Sequence, residues 1–324
     1  MMVSRTGERR RQDGVATYLV TGGCGFIGSH LADALLARGD RVRILDDLSS
    51  GRLENAPAAA ELRRGDVADA ALVADSLAGV DGCFHLAAVS SVERANRDWL
   101  GTHRVNQTGT IAVFDGARNA RPGRPIPVVY ASSAAVYGDN PDLPLSEDAA
   151  PRPLSAYGAD KLGCELHARV AEAVHGVPAV GLRFFNVYGP RQAADSPYSG
   201  VIAQFCDRLR AGRPITIFGD GDQSRDFVFV DDAVAALLAA MDRAPCPPGV
   251  FNVCTGHATT VRALAETIAA LCGATATITR APPRAGDIRG SVGDPARAAA
   301  RLGIQPATPL AIGLARILGP TPPA

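Results

Sequence analysis

The chain has 324 residues, of which 47% are hydrophobic, and its 33 basic and 33 acidic residues cancel. This length provides one large domain or two, with ample material for a core. The zero net charge gives no overall field that would draw nucleic acid or an anionic membrane, and no apolar run reaches the ~18 residues of a membrane span.

The N-terminus and the cysteines indicate the compartment. Residues 1–16 are polar and rich in arginine with no apolar stretch after them, so we expect a flexible arm and not a secretory signal. The seven cysteines are scattered and form no CxxC pair, which favours reduced thiols over zinc ligands or disulfides. These features favour a cytoplasmic protein without a bound metal.

Strand-like and helical stretches alternate from residue 17 to residue 185. Strands are predicted at 18–20, 41–45, 82–86, 127–131 and 180–185, and helices at 27–38 and 155–175. Such alternation is typical of right-handed βαβ units in a doubly wound parallel sheet. We therefore predict an α/β protein in which residues 17–185 form a Rossmann domain.

Prolines and glycines interrupt the chain after residue 186, where the pattern becomes less regular. Helices are predicted at about 201–211, 231–242 and 260–272, and a proline-marked loop is predicted before residues 250–253. We predict that residues 186–324 form a smaller, mixed α/β part that mainly binds substrate. Segments around 226–254 are expected to pack back on the Rossmann domain.

A glycine-rich loop follows the first predicted strand and opens the first predicted helix. Gly22, Gly25 and Gly28 have the spacing that lets a backbone approach a pyrophosphate at a helix N-terminus. Asp46 ends the next strand, where a carboxylate accepts hydrogen bonds from the adenosine ribose and repels a 2′-phosphate. NAD is therefore predicted over NADP. Three nearby polar residues are weaker candidates for the same ribose: Asp47, Ser49 and Ser50.

Tyr157 and Lys161 are four residues apart in a predicted helix, so both side chains face the same side of it. An ammonium near a phenol favours the phenolate, which makes Tyr157 a candidate base. Ser133 follows a predicted strand about one loop earlier. A base, a hydroxyl and a dinucleotide loop together predict hydride transfer at an alcohol carbon.

Other polar residues allow two interpretations each. Asp66, followed by Val67, could reach an adenine, although a loop carboxylate is usually just solvated. His85 in an apolar strand is predicted to be a buried histidine with satisfied hydrogen bonds, and no histidine has metal-ligand spacing. Loop arginines such as Arg225 and Arg284 are either solvated or, because guanidinium groups bind diphosphates, hold a nucleotide-linked substrate.

Seven motifs together resemble the extended short-chain dehydrogenase/reductase family, and within it the NAD-dependent epimerases and dehydratases of nucleotide sugars. They are T-G-G-x-G-F-I-G-S-H at 21–30, L-D-D-L-S-S-G at 45–51, F-H-L-A-A at 84–88, S-S-A-A-V-Y-G at 132–138, Y-x-x-x-K at 157–161, R-F-F-N-V-Y-G-P-R at 183–191 and R-D-F-V-F-V-D-D at 225–232. The resemblance extends from residue 17 to about residue 310.

This resemblance implies a role for each motif. Ser133 would hydrogen-bond the reacting hydroxyl, Tyr157 would be the base, and Lys161 would bind the nicotinamide ribose. Asn106 would brace the active site. The implied NAD-binding residues are Gly22, Gly25, Phe26, Ile27, Gly28, Asp46, Asp47, Ser49, Ser50, Asp66, Val67, Leu86, Ala87, Ala88, Asn106, Tyr157 and Lys161. The implied substrate-binding residues are Ser133, Asn186, Arg225, Arg284, Asp287 and Ser291.

Two departures narrow the implied chemistry. The two residues after Ser133 are acidic or otherwise polar in the 4,6-dehydratases of the family, and here they are Ala134 and Ala135. Methyl groups cannot transfer protons, so elimination and decarboxylation are not expected. A bulky tyrosine walls the sugar pocket of hexose-only epimerases where this chain has Ser291, which predicts room for a 2-acetamido group.

The resemblance therefore implies an NAD-dependent isomerase that inverts C4 of a UDP-sugar through a 4-keto intermediate. UDP-glucose and UDP-galactose are the expected substrates, with their N-acetylated counterparts as further ones. Two alternatives stay open: another nucleotide-sugar enzyme of the family (a UDP-glucuronate or pentose 4-epimerase, or a keto-sugar reductase) and a non-catalytic NAD-binding protein.

The resemblance also implies a homodimer built on two helices per subunit, at about 98–119 and 155–175.

Overall fold

The computed structural model describes residues 14–193, 200–244, 249–273, 277–283 and 288–319. Strands and helices alternate in its first half, in the order β1 (Thr17–Thr21), α1 (Phe26–Ala37), β2 (Arg41–Asp46), β3 (Glu61–Arg64), α2 (Ala70–Leu77), β4 (Gly82–His85), α3 (Val92–Arg97), α4 (Trp99–His103), α5 (Gly109–Asn119), β5 (Val128–Ser133), α6 (Ala156–His175) and β6 (Ala179–Phe184). Short 3-10 turns lie at Leu53–Asn55 and Ala134–Val136.

Shorter strands and amphipathic helices follow in the second half. They are β7 (Asn186–Tyr188), α7 (Val201–Arg210), β8 (Ile215–Phe218), β9 (Ser224–Arg225), β10 (Phe227–Phe229), α8 (Val230–Asp242), β11 (Gly249–Val253), β12 (Thr259–Thr260), α9 (Val261–Leu271), β13 (Ile278–Ala281), β14 (Gly290–Ser291), α10 (Ala296–Leu302) and α11 (Leu310–Leu318).

A seven-stranded parallel sheet forms the centre of the molecule, with strand order β11-β6-β5-β4-β1-β2-β3. The order reverses between β1 and β4, which is where open α/β sheets bind ligands beyond the carboxyl ends of their strands. The predicted doubly wound α/β fold is therefore confirmed. Strand β11 adds to the edge beside β6, so a segment from the second half of the chain completes the sheet.

Two hydrophobic cores cover the two faces of this sheet. Successive residues of a strand point to opposite faces, and in β1 Leu19 belongs to one core and Val20 to the other. The first core is formed against α1, α8 and α10, and the second against α2, α5 and α6. Because α8 and α10 come from the second half of the chain, that half contributes to one face of the sheet.

A third core is formed by several elements of the second half. It packs α7 and α9 against β8 and α11 through residues such as Phe205, Ile217, Leu264 and Leu314. Three short strands, β12, β9 and β14, form a small separate sheet beside it. Among the helices of the described ranges, none combines the length and apolarity needed to cross a membrane.

Candidate active site at the carboxyl edge of the sheet

The glycine loop lies between β1 and α1, at the reversal of strand order. Gly22 has a φ of +70°, and a Cβ on it would lie 2.8 Å from the backbone nitrogen of Ala87. A Cβ on Gly28 would collide with the carbonyl oxygen of Gly22. The loop therefore has no room for side chains at these two positions, and α1 begins at Phe26 with its first amides uncapped by a side chain. Such a cradle fits the pyrophosphate of a dinucleotide.

Asp46 ends β2 beside this loop and is 7% exposed. Its carboxylate accepts hydrogen bonds from the backbone nitrogens of Cys24 at 2.9 Å and Leu48 at 2.8 Å. Burial raises the pKa of Asp46 above its usual range. The carboxylate thus ties the glycine loop to the segment that follows β2. Asp47, Ser49 and Ser50 lie in that segment and are all exposed.

The segment after β3 places Asp66 and Val67 differently. Asp66 pairs with Arg104 at 2.8 Å and accepts a hydrogen bond from the backbone nitrogen of Ala68 at 2.8 Å. Val67 is buried, and a Cβ on Gly109 would collide with its side chain. The predicted contact of Asp66 with an adenine stays a prediction.

The segment after β4 consists of Leu86, Ala87 and Ala88, and its backbone lies against Gly22 of the glycine loop. The backbone nitrogens of Leu86 and Ala87 both donate to the hydroxyl of Thr21 at 3.2 Å. Farther along, the side chain of Asn106 accepts from the Val89 nitrogen at 2.8 Å and donates to the Val89 oxygen at 3.2 Å. Asn106 is 1% exposed and lies in a π-helical segment, Arg104–Thr108, between α4 and α5.

Ser133, Tyr157 and Lys161 belong to β5 and to the first two turns of the helix α6, which packs against β5. Ser133 is the last residue of β5, and its Oγ accepts from the Ala135 nitrogen at 3.1 Å. Tyr157 lies in the first turn of α6, which Ser155 caps through the Gly158 nitrogen. The Lys161 ammonium lies 5.8 Å from the centre of the Tyr157 ring. Lys161 is 3% exposed, and its ammonium donates to the Ala131 oxygen of β5 at 2.8 Å.

A buried ion pair that sequence reasoning missed supports this cluster. Arg183 of β6 makes two parallel bonds to Glu165 of α6, at 2.8 and 2.7 Å, and donates to the Tyr137 hydroxyl at 2.8 Å. Ser132, the neighbour of Ser133, donates to the same carboxylate at 2.5 Å. Two features of the sequence could have revealed this pair. Glu165 lies one helical turn after Lys161, and Arg183 is a charged residue in an otherwise apolar strand.

The structure describes some of the predicted substrate-binding residues and not others. Asn186 donates to the Asp226 oxygen at 3.2 Å, and Arg225 donates to the Ile288 oxygen at 2.9 Å. Ser291 is 4% exposed and pairs in register with Arg225 between β14 and β9. Arg284 and Asp287 lie outside the described residues. In the part of the chain that the structure describes, no group of three His, Cys, Asp or Glu residues is placed to hold a metal ion.

Comparisons with known proteins agree with this geometry. The model of the NAD-dependent epimerase/dehydratase family matches residues 18–254. A UDP-glucose 4-epimerase of Mycolicibacterium smegmatis is 42% identical over 92% of this chain and 96% of its own. Two solved structures superpose over most of both chains. One is the UDP-glucose 4-epimerase of Thermotoga maritima with UDP-glucose, with a TM-score of 0.88, 35% identity, and coverage of 93% of this chain and 97% of that one. The other is a UDP-N-acetylglucosamine 4-epimerase of Methanobrevibacter ruminantium with UDP-N-acetylmuramic acid, with a TM-score of 0.89, 34% identity, and coverage of 94% and 97%.

Proposed function

The chain belongs to the NAD-dependent epimerase/dehydratase family, and from this premise we infer that it is an NAD-dependent isomerase that inverts C4 of a UDP-sugar. One observation within the structure supports this most strongly. Tyr157 and Lys161 stand at the sheet edge that also carries the glycine loop, with the ammonium 5.8 Å from the phenol ring. A base beside a dinucleotide cradle is what oxidation of an alcohol carbon requires.

Tyr157, as the phenolate, takes the proton from the sugar 4-hydroxyl and returns it after the 4-keto sugar has presented its opposite face. The Lys161 ammonium, 5.8 Å from the centre of the Tyr157 ring, binds the nicotinamide ribose. Ser133 uses one lone pair for the Ala135 nitrogen, and its hydroxyl hydrogen is donated to the reacting oxygen. Bound NAD supplies the hydride acceptor and donor at C4. Ala134 and Ala135 offer no proton-transferring group, which keeps the reaction at C4.

The substrate contacts belong to the second half of the chain. We propose that Asn186, Arg225, Arg284 and Asp287 hold the nucleotide diphosphate, and that Ser291 lies beside the sugar C2 substituent. A serine in place of a bulky residue supports acceptance of acetamido sugars. The similarity to a UDP-N-acetylglucosamine 4-epimerase supports the same substrate range. Asp46 binds the adenosine ribose, and Asp66 binds the adenine.

A homodimer is the proposed assembly, and the cytoplasm is the proposed compartment. Helices α4 and α6 leave large apolar side chains exposed to water: Trp99, Leu100, Leu166, Val170 and Val174. Contiguous exposed apolar surface is typical of a protein interface. Among the described residues, the six cysteines are all free and five are buried, which suits a reducing compartment.

The test is interconversion of UDP-glucose and UDP-galactose by the purified protein, with both epimers resolved. We expect equilibration without net NADH, whereas a reductase or dehydrogenase would form or consume NADH in proportion to product. Tyr157→Phe removes the hydroxyl and keeps the ring, so it should lower kcat by about 10²–10⁴-fold while bound NAD is retained. Absence of interconversion for every UDP-sugar offered, with NAD present, contradicts the proposed function.

A further inference from the structure

His85 is a buried titratable residue to which the C4 chemistry assigns no part. It is the last residue of β4, is 3% exposed, and pairs in register with Thr21 at the end of β1. The chain continues from it directly into Leu86 and Ala87. Its two ring nitrogens contact two threonine hydroxyls, Nδ1 to Thr21 at 2.7 Å and Nε2 to Thr110 at 2.9 Å.

Counting donors and acceptors fixes where the ring proton lies. The Thr110 hydroxyl is 2.6 Å from the carbonyl oxygen of Asn106, which can only accept, so Thr110 donates there. Because its single hydrogen is used there, Thr110 can only accept from its other two neighbours, Cys164 Sγ at 3.2 Å and His85 Nε2 at 2.9 Å, which places the ring proton on Nε2. A neutral imidazole has one donor and one acceptor, so Nδ1 accepts from the Thr21 hydroxyl.

Protonation of His85 would break this arrangement. The Thr21 hydroxyl oxygen already accepts from the Ala87 nitrogen at 3.2 Å and from the Leu86 nitrogen at 3.2 Å, whose N–H it shares with the Thr21 carbonyl oxygen at 3.1 Å. A second N–H on the ring would point at the hydroxyl hydrogen that Thr21 donates to Nδ1, and it would break that 2.7 Å bond. Burial, with a further contribution from the positive charge of Lys161, lowers the pKa of His85 to about 3, which agrees with a neutral ring.

These hydrogen bonds form a continuous network that begins and ends on the segment 86–89. They run from the Leu86 and Ala87 amides to Thr21, through His85 and Thr110 to the Asn106 carbonyl, and the Asn106 side chain returns to Val89. We infer that His85, as the neutral Nε2–H tautomer, is a positioning residue that holds the segment 86–89 in place for NAD and couples it to the π-helical segment beside α6. This inference rests on the proposed passage of the cofactor along Leu86, Ala87 and Ala88.

Two substitutions separate positioning from mere filling of space. Leucine in place of His85 approximates the bulk of the ring and removes both hydrogen bonds. Asparagine puts a carbonyl oxygen close to where Nδ1 lies, so His85→Asn keeps an acceptor for Thr21. The matched control is Ser76→Ala, because Ser76 is fully buried and donates to the Leu72 oxygen at 2.7 Å in α2, away from the segment 86–89.

The experiment measures NAD(H) released by denaturation after gel filtration, alongside kcat and KM for UDP-glucose. Leaving buried polar groups unpaired should make His85→Leu lose NAD about tenfold or more readily than the wild type. Added NAD⁺ should restore part of its kcat, and KM for UDP-glucose should stay close to that of the wild type. His85→Asn should retain more NAD than His85→Leu, and Ser76→Ala should retain as much as the wild type.

Two results overturn the inference. A folded His85→Leu that keeps NAD as the wild type does would reduce His85 to a space-filling residue. If His85→Leu does not fold, long-range ¹⁵N correlation spectra of the wild type, assigned against His85→Asn, decide: a proton on Nδ1 near neutral pH contradicts the assigned tautomer. A wild type that holds no NAD would instead contradict the proposed cofactor site, and the tautomer measurement would still judge the hydrogen-bond assignment.

Discussion

Ser291 is the residue at which side-chain volume should decide which sugar is accepted. It is buried, and it lies in register beside Arg225, for which we propose a contact with the substrate diphosphate. Close-packed sites do not accommodate several extra heavy atoms without cost. The smaller side chain therefore favours a pocket that admits the acetamido group at C2.

Ser291→Tyr should lose UDP-N-acetylglucosamine and keep UDP-glucose. Overpacking of about 1–3 kcal/mol predicts a drop of about 5- to 150-fold in kcat/KM for the acetamido sugar alone. Ser291→Ala is the control, because it keeps the pocket open and should turn over both sugars. Wild-type protein that uses UDP-glucose and ignores the acetamido sugar would show that Ser291 does not line the C2 pocket.

The depressed pKa of His85 makes folding stability depend on pH with a known sign. The folded state lowers this pKa from the usual 6.5 to about 3, so between those values the unfolded chain binds a proton that the folded chain does not. Its contribution to stability is therefore fully present above pH 6.5 and is lost as the pH falls toward 3. The slope from this residue alone is about 1.4 kcal/mol per pH unit.

Urea unfolding of wild type and His85→Asn at a series of pH values measures this dependence. The stability of the wild type alone does not isolate the effect of His85. Burial raises the pKa of Asp46 and Asp226, so these two carboxyls change the stability with pH in the opposite direction. The difference between the two proteins removes that common part. We expect the wild type to lose stability faster than the variant as the pH falls below about 6; parallel curves would mean that His85 is protonated in the folded state.

At the scale of elements, the Arg183–Glu165 pair fastens α6 to the sheet. Its side chains are 4% and 7% exposed, and Tyr137 and Ser132 complete the hydrogen bonds. A second chain of bonds continues from Tyr137 to Asn252 of β11 at 2.7 Å. The helix that carries Tyr157 and Lys161 is thus held to β5, β6 and β11 by one buried polar network.

Arg183→Met should destabilise the protein by about 3–5 kcal/mol, because it leaves the Glu165 carboxylate buried and unpaired. Arg262→Met is the control, since Arg262 pairs with Asp222 at 2.8 Å on the surface and such pairs contribute about 0–1 kcal/mol. Unfolding by urea measures both. A second change, Glu165→Gln, should recover part of the loss in Arg183→Met, and failure to do so would remove the unpaired charge as the cause.

Local sequence predicted elements well and long-range polar partners badly. Helix α6 was predicted at 155–175 and is found at Ala156–His175, because Ser155 caps its start and Gly176 takes the left-handed conformation at its end. The two charges of the Arg183–Glu165 pair come from different elements, and Tyr137 and Asn252 are 115 residues apart. Periodicity carries no information about such partners.

The predicted helix at 98–119 shows a second limit. The chain is helical there, but as α4, the π-helical segment Arg104–Thr108 and then α5. One wider turn brings Asn106 inward to Val89. That turn is stabilised by tertiary hydrogen bonds, including the bond from Thr110 to the Asn106 oxygen. A helical propensity pattern cannot distinguish it from an α-helical turn.

At the scale of the whole molecule, helices α4 and α6 expose large apolar side chains to water, which packing within one chain does not explain. Leu166, Val170 and Val174 recur every fourth residue of α6 and are 55%, 49% and 69% exposed. Residues at this spacing form one stripe along a helix. Trp99 and Leu100 of α4 are 68% and 80% exposed. Pairing this stripe with its copy would bury Leu166, Val170 and Val174 and would bring the contact onto the helix that carries Tyr157.

The protein should therefore have twice the mass of its 33.5 kDa chain in solution, and Leu166→Glu with Val170→Glu should make it monomeric. Two carboxylates facing their copies across a two-fold contact would be buried without partners, which costs far more than the lost apolar area. Ile312→Glu on α11 is the control, because Ile312 is 52% exposed and lies on a helix that we place outside the contact. Light scattering at micromolar concentration gives the mass of each protein.

Because the contact would stabilise α6, the monomeric variant should also lose activity. A wild type with the mass of one chain would exclude the dimer, and the apolar stripe would then be the binding surface for another partner.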